Sequence, residues 1–374
     1  MELIVILAAI LFILFIIKKL YKTNWNKGIS ANLSLSDNEA FPGDEIILTE
    51  TIVNNKWLPL PMIKVKFEVD KSFVFNDIVV NTNVSDKCYK SDVFSILFYQ
   101  KIIRKLPFIC TKRGYYQIKS MDVVSTDVFM DSVLASIFPV SENIIVYPEP
   151  INSEAVEVPF NRLMGTILTK HYAYEDPFEF RGIREYQTYD TMKSINWNAS
   201  ARTGDLKVNI HDYTASQQVS ILLNLENEGV WEYEVLKEKS ISMACSLAHR
   251  LTMQGISVSI ITNGVDKLSG EEICLASGSD ESHRQNIMTS LARIDLKKKM
   301  VDFTQTMEKN RRFIDDGAVL MMISTCKKES VQKYYEKLAH EHKGSMWLFP
   351  FHAGMDTGFG YVQSAEILEW ELEI

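Results

Sequence analysis

The chain is poor in the residues on which common chemistries are built. Its five cysteines, Cys88, Cys110, Cys245, Cys274 and Cys326, are odd in number, widely spaced and never paired as CxxC. That pattern excludes a zinc ribbon and a disulfide framework, and it suits reduced thiols in a cytosol. The phosphate-binding GxxxxGKS/T loop, the GxSxG nucleophile elbow and the HExxH zinc helix are all missing. Gly358 and Gly360 lack the third glycine and the βα setting of a dinucleotide loop. A basic surface is missing too. The net charge is −8, and outside the N-terminal region only Lys297, Lys298 and Lys299 form a tight basic run, so broad nucleic-acid binding is excluded. His340 and His342 flank Glu341, but residues two apart do not share a helix face, so a solvated helix end is expected there. His171, His211, His249, His283 and His352 are scattered singly, and Asn83-Val84-Ser85 is a glycosylation sequon only in an extracellular setting.

What the chain does have is a long apolar run. Leu3 to Ile17 carries no charge, Gly or Pro, and Lys18, Lys19, Lys22 and Lys27 follow with no acid among them. Fifteen helical residues reach only about 22 Å, but extension to Tyr21 gives about 28 Å, close to a hydrocarbon core, if the lysine stems snorkel. Trp25 is expected at interfacial depth or just outside it. A cleaved signal peptide fits poorly, because Glu2 is the one early charge and no small-x-small site follows the run. Residues 1–22 are therefore expected to be a single-pass anchor in the cell membrane through residues 3–21. The lysine bias places residues 28–374 in the cytoplasm.

Composition, 46% hydrophobic and 24% charged, is that of folded domains. Residues 28–150 predict an antiparallel β-sandwich. Ile63 to Val69 alternates cleanly, Phe94–Tyr99, Tyr115–Ile118 and Ile144–Tyr147 are further short strands, and turns fall at 41–45, 58–61 and 112–115. Residues 151–216 are less regular and read as a connecting segment. Residues 217–374 alternate continuous apolar strands (219–225, 257–263, 318–324, 345–349) with helical stretches (one ended by Gly255, then about 280–293, 300–314 and 328–342). That alternation predicts a doubly wound parallel α/β domain. Cys245, in an amphipathic helix of core residues, reads as a small buried hydrophobe.

The connecting segment holds the densest cluster of distinctive residues: Arg184, Tyr186, Asp190, Ile195, Trp197, Ser200, Ala201 and Arg202. Their spacing resembles the signature of the domain of unknown function 58 family, roughly R-x-Y-x-x-G-D-x-x-R-x-I-x-W-x-x-S-A-R. Tyr189, Lys193 and Asn196 depart from it, and the upstream segment 127–131 departs from the D-P-F-G usual in that family. Taken by themselves, these residues predict a structural role. Asp190 is expected to cap a short helix over 191–197, and Trp197 to bury a large surface at a domain junction. Arg184 and Arg202 are expected to bond Asp190 or Glu185, and Gly204 to supply a positive φ before the strand 206–210. A protein-binding surface and a catalytic site are the alternatives for the same cluster.

The resemblance implies a von Willebrand factor A-like C-terminal domain, whose first-strand D-x-S-x-S loop holds Mg²⁺ in that fold. Here Asn224, Glu226 and Glu228 stand at those positions, so a degenerate, exposed polar loop without metal is expected. The resemblance also implies partnership with a MoxR-type AAA+ ATPase. The expectation is thus a non-catalytic membrane-anchored scaffold with no cofactor. It would have a transmembrane helix, a β-sandwich and a von Willebrand factor A-like domain, and would act in assembly or remodelling of a membrane or envelope complex. The alternatives are an enzyme acting through Arg184, Asp190 and Arg202, or an outward-facing ligand-binding receptor module.

Overall fold

The computed structural model of the chain describes residues 2–75, 82–84, 87–127, 129–151, 154–173, 180–187, 190–211, 218–228 and 233–372, in two compact units, Met1–Glu149 and Pro150–Ile374. Ser85 of the sequon and Tyr189 lie outside the described residues, as do the side chains of Cys88, His171 and His211.

The first unit begins with α1 (Glu2–Asn24), whose stretch Leu3–Asn24 has a mean hydropathy of 2.9 and is long and apolar enough to cross a membrane. At 1.5 Å per residue it extends about 33 Å. Its last turns do not stand free. Ile17 packs on the sandwich core, Tyr21 and Trp25 are buried in it, and the Tyr21 hydroxyl donates to the Pro59 carbonyl at 2.9 Å. Trp25, expected near the lipid interface, is instead a core residue at 5% exposure. An indole covering the open end of a sandwich removes more apolar surface from water than one resting at a headgroup.

Ten strands follow: β1 (Ile29–Leu35), β2 (Glu39–Ala40), β3 (Glu45–Asn54), β4 (Leu60–Asp70), β5 (Phe73–Phe75), β6 (Thr82–Val84), β7 (Lys87–Ile96), β8 (Lys101–Cys110), β9 (Gly114–Thr126) and β10 (Val133–Val146). They form two sheets, β1-β3-β8-β5 and β2-β10-β9-β4-β7-β6, antiparallel except for the short β2–β10 pair. The alternation read in 63–69 is realised along β4, whose inward Ile63, Val65 and Phe67 share one core with Leu48 and Ile52 of β3. The strand expected over Phe94–Tyr99 stops at Ile96. Beyond it the chain turns, held by the Asn54 amide on the Leu97 carbonyl (2.8 Å) and the Tyr99 N–H on the Lys56 carbonyl (3.1 Å).

The sandwich interior holds charges that alternation alone does not announce. Glu50, Lys90 and Asp92 are all buried. Arg104 of β8, the register partner of Glu50, reaches Asp92 of β7 at 3.2 Å and so ties one sheet to the other. The Lys90 ammonium lies 5.0 Å from the centre of the Phe75 ring.

The second unit contains α2 (Glu154–Ala173), β11 (Phe180–Glu185), α3 (Trp197–Thr203), β12 (Lys207–His211), β13 (Gln218–Asn224), α4 (Glu234–Met253), β14 (Ser257–Val265), β15 (Glu272–Gly278), α5 (Glu281–Ala292), α6 (Phe303–Asn310), β16 (Val319–Ser324), α7 (Glu329–Glu341), β17 (Met346–Phe351) and β18 (Glu366–Glu371). Six strands make one sheet in the order β15-β14-β13-β16-β17-β18, parallel except where the edge strand β15 runs against β14. Alternate residues of the apolar strands face opposite layers. Ile221, Leu223 and Ile260 pack with α2, α4 and α5, while Leu222, Ile261 and Leu320 pack with α6 and α7. Burial on both faces is why these strands read as unbroken apolar runs. The connecting segment thus supplies a core helix: Val156, Leu163 and Ile167 of α2 enter the α/β core. Pro159 near its start obscures it in the sequence. The helix expected over 300–314 is shorter, ending at Asn310 before a 3₁₀ turn.

Candidate functional site

The signature residues fold into a small module of their own. β11 and β12 form an antiparallel hairpin, and a 3₁₀ turn over Met192–Ser194 and α3 fill the excursion between them. Its pins are polar. The Asn196 side chain caps α3 by accepting from the Ala199 N–H at 2.9 Å and donates to the Asn209 side chain at 2.7 Å. Ser200 is buried; its hydroxyl donates to the Asn196 carbonyl and accepts from the Lys207 N–H, each at 2.8 Å. Gly204 closes α3 at φ 81°, as expected of the turn before the second strand. Tyr186 contributes its N–H to the Leu206 carbonyl at 2.9 Å. Ser200→Ala should cost about 1–3 kcal/mol locally, the usual penalty for stranding buried partners. The check is amide exchange at Lys207, which should accelerate in the variant while α4 is unaffected.

Asp190 and Arg184 form the module's ion pair. The two guanidinium nitrogens lie 2.6 and 2.5 Å from the two carboxylate oxygens, in fork geometry. The arginine holds the Asp190 carboxyl below its ordinary range. Asp190 does not cap the following 3₁₀ turn, which has Thr191 at its N-cap. It accepts the Gln187 N–H at 2.8 Å instead. Arg202 lies exposed on α3 and Glu185 takes Lys207 at 3.2 Å; among the described residues Arg202 pairs with neither Asp190 nor Glu185. Trp197 is the main correction. The buried surface expected of it is absent: it opens α3 at 62% exposure. Met192, Ile183 and Leu206 of the same module are exposed as well. The polar pins of α3 face inward, which turns its first residue to solvent.

A second polar cluster sits at the carboxyl ends of the central parallel strands, where open α/β sheets form their crevice. The Asn224 carbonyl oxygen accepts from the Glu226 N–H (3.0 Å) and the Asn263 amide (3.1 Å), and its own amide donates to the Ser324 hydroxyl (3.1 Å). One side chain thus joins the ends of β13, β14 and β16. Asn224 and Glu226 are buried, which corrects the expectation of an exposed loop. Only Glu228 faces solvent, accepting the Lys327 N–H at 3.2 Å. Burial pushes the Glu226 carboxyl up, opposed by Lys328, whose ammonium lies 3.6 Å away, and aided by Asp302.

Asn263, Ser324, Asp302 and Lys328 escaped the sequence reading. The available signal was that apolar strands end on Asn224, Asn263–Gly264 and Ser324. Among the described residues no group of three or more His, Cys, Asp or Glu side chains is placed to hold a metal. With an ammonium already on Glu226, we expect no change in melting temperature on adding millimolar Mg²⁺ or Mn²⁺. A true site would add about 2.7 kcal/mol at a hundredfold excess over Kd. A saturable rise abolished by Glu226→Ala would reverse this.

Other groups offer less. His342, expected in a solvated helix end, is buried, with Nδ1 3.3 Å from the Ala318 carbonyl, while His340 is exposed. Burial pushes the Cys110 thiol up to about 12 and those of Cys274 and Cys326 up to about 11, away from nucleophilic chemistry.

An apolar N-terminal helix, a β unit and an α/β unit define a multidomain β plus α/β chain. Residues 182–344, from within the signature hairpin to just past α7, match the model of the family described as protein of unknown function DUF58. No curated protein sequence matches it. Among solved structures, the CARDB domain of a Pyrococcus furiosus protein in complex with di-metal ions is similar at 10% identity. It covers 32% of this chain and 94% of that one, with a TM-score of 0.22. A cohesin–dockerin complex from Clostridium thermocellum is similar at 16% identity, covering 32% and 99%, with a TM-score of 0.23. The sporulation control protein Spo0M of Bacillus subtilis is similar at 12% identity, covering 43% and 58%, with a TM-score of 0.19. Likeness at these TM-scores says nothing of what the chain does.

Proposed function

We propose that the chain is a membrane-anchored, non-catalytic scaffold whose signature module is presented to a protein partner. The observation that carries this reading is Trp197: a large aromatic on a rigid, internally hydrogen-bonded module, left in solvent. Aromatic anchors of this kind dominate protein–protein binding energy. Membrane anchoring is supported by α1 and the lysines that follow it, and the same lysine bias supports a cytoplasmic location for the folded units. The mostly parallel six-stranded sheet with helices on both faces supports a von Willebrand factor A-like reading, with Asn224 and Lys328 in place of a working cation site. The family resemblance points to a MoxR-type AAA+ ATPase as the partner. The test is crosslinked affinity purification of the full chain from its own membrane. Recovery of an AAA+ ATPase with the wild type, and its loss with Trp197→Ala, is the expected result. Recovery undiminished by the variant would remove the module from the interface.

A further inference from the structure

The β-sandwich carries an aromatic rim at the end from which α1 leaves. The strand registers place this end. Ile29 opposes Asn54, Val53 opposes Lys101, Leu60 opposes Ile96, and Thr126 opposes Val133. The connections 25–28, 55–59, 97–100 and 127–132 therefore share one end of the sandwich. Here Trp57, Leu97, Phe98, Tyr99 and Met130 each present more than half of their surface to solvent, and Phe129 somewhat less. Of the other exposed aromatics of this unit, Phe12 and Phe15 lie on the apolar run of α1, Phe41 at the opposite end of the sandwich and Tyr89 on β7. The opposite end's turns carry Asp37, Asp44, Lys71, Lys112 and Arg113 instead.

Three contacts set the depth of the rim along α1. Lys18, the residue after the apolar run, pairs with Asp131 in the 127–132 loop and faces the Phe129 ring. One turn on, Tyr21 bonds Pro59, and beyond it the Trp25 carbonyl accepts from the Lys56 ammonium. No linker separates the apolar run from the sandwich, since Ile17 already packs on its core. From Ile17 to Trp25 is about 12 Å of helix. The interfacial zone of one leaflet is about 5–8 Å thick, so loops level with Lys18 and Tyr21 fall at headgroup depth. Trp, Tyr and Phe are the side chains that suit this depth, with apolar rings and, in Trp and Tyr, a polar handle.

Two further observations agree. Among the described residues, the non-glycine positions with positive φ are Tyr99 (50°) and Met130 (58°), one at the tip of each loop. That region is unfavourable for a bulky side chain, so these tips hold their side chains outward against a local penalty. Charge at this end is mostly basic: Lys19, Lys22, Lys27, Lys56 and Lys101 stand against Asp127, with Asp131 already paired.

We infer that Trp57, Leu97, Phe98, Tyr99, Phe129 and Met130 seat the sandwich in the headgroup layer of the bilayer that α1 crosses, with the surrounding lysines on anionic lipid. This rests on the membrane-anchor reading of α1. The test is a photoreactive benzophenone side chain placed singly at Leu11, Phe98, Tyr99, Met130 or Asp37 of the full chain. Each form is reconstituted into phosphatidylcholine–phosphatidylglycerol vesicles, and lipid adducts are read by mass. Adducts are expected at Leu11, Phe98, Tyr99 and Met130, with loss of the adduct at Asp37. Adducts at Leu11 but at none of the three rim positions would overturn the seat while leaving the anchor intact. So would rim crosslinks that join two copies of the chain, or equal adducts at Asp37. No adduct at Leu11 would overturn the anchor reading, and the seat with it.

Discussion

Glu50→Gln is expected to make the sandwich less sensitive to alkali than the wild type. Glu50 is buried between sheets, and among the described residues neither of its oxygens accepts a hydrogen bond. Burial pushes its carboxyl from an ordinary 4.5 up to about 7; Asp92 pushes the same way, and Arg104 and Lys90 oppose. Below pH 4.5 the folded and unfolded chains both hold this proton. Between 4.5 and 7 the folded chain keeps it while the unfolded chain gives it up, so each rise in pH favours unfolding. Above 7 the loss is complete and amounts to about 3 kcal/mol. Glutamine has no proton to lose. Exchange of the β3 amides in the full chain, followed from pH 4.5 to 8, should show the wild type losing about that much stability relative to Glu50→Gln. Parallel pH curves would mean that Arg104 neutralises the carboxylate fully.

Trp197→Ala is expected to separate binding from folding. A Trp buried at a domain junction would lose roughly 3–5 kcal/mol on truncation. The exposed Trp197 should change stability by no more than about 0.5 kcal/mol, as surface substitutions do. Partner affinity should instead fall by at least about 2 kcal/mol, or roughly 30-fold, if the indole anchors an interface. Calorimetry of the variant and affinity measured against the captured partner give the two numbers. A large drop in melting temperature would return Trp197 to a packing role, and unchanged affinity would move the interface elsewhere.

Much of the architecture is legible because periodicity is a direct image of burial. β4 alternates because one face is wet, and β13, β14 and β16 run apolar throughout because helices cover both faces. The helix stop at Gly255, with φ 75°, is equally plain. What stays hidden depends on long-range partners. Pro159 masks a helix that tertiary packing supports, and the edge strands β15 and β18 are too polar to stand out. Glu50, Lys90 and Asp92 sit at positions where charge argues for solvent. Their burial depends on Arg104 and Phe75, which the chain brings from elsewhere. In the signature module the Arg184–Asp190 pair was foreseeable from residue type. The outward indole was not, because composition says how much surface a Trp can bury but not whether its neighbours leave it room to do so.

The burial of Tyr21 and Trp25 has a mechanical consequence. A domain tied to a membrane span by a loose tether swivels freely, and a cut in the tether sets it loose whole. Here the span's last two turns are wedged into the domain as a stopper is into a bottle, with Lys18 and Lys56 latched on either side. Tilt or rotation of the helix is therefore tilt or rotation of the sandwich. A protease cutting between Trp25 and Ile29 would leave both rings on the lipid-side fragment, so the head could come away only by opening its core at one end.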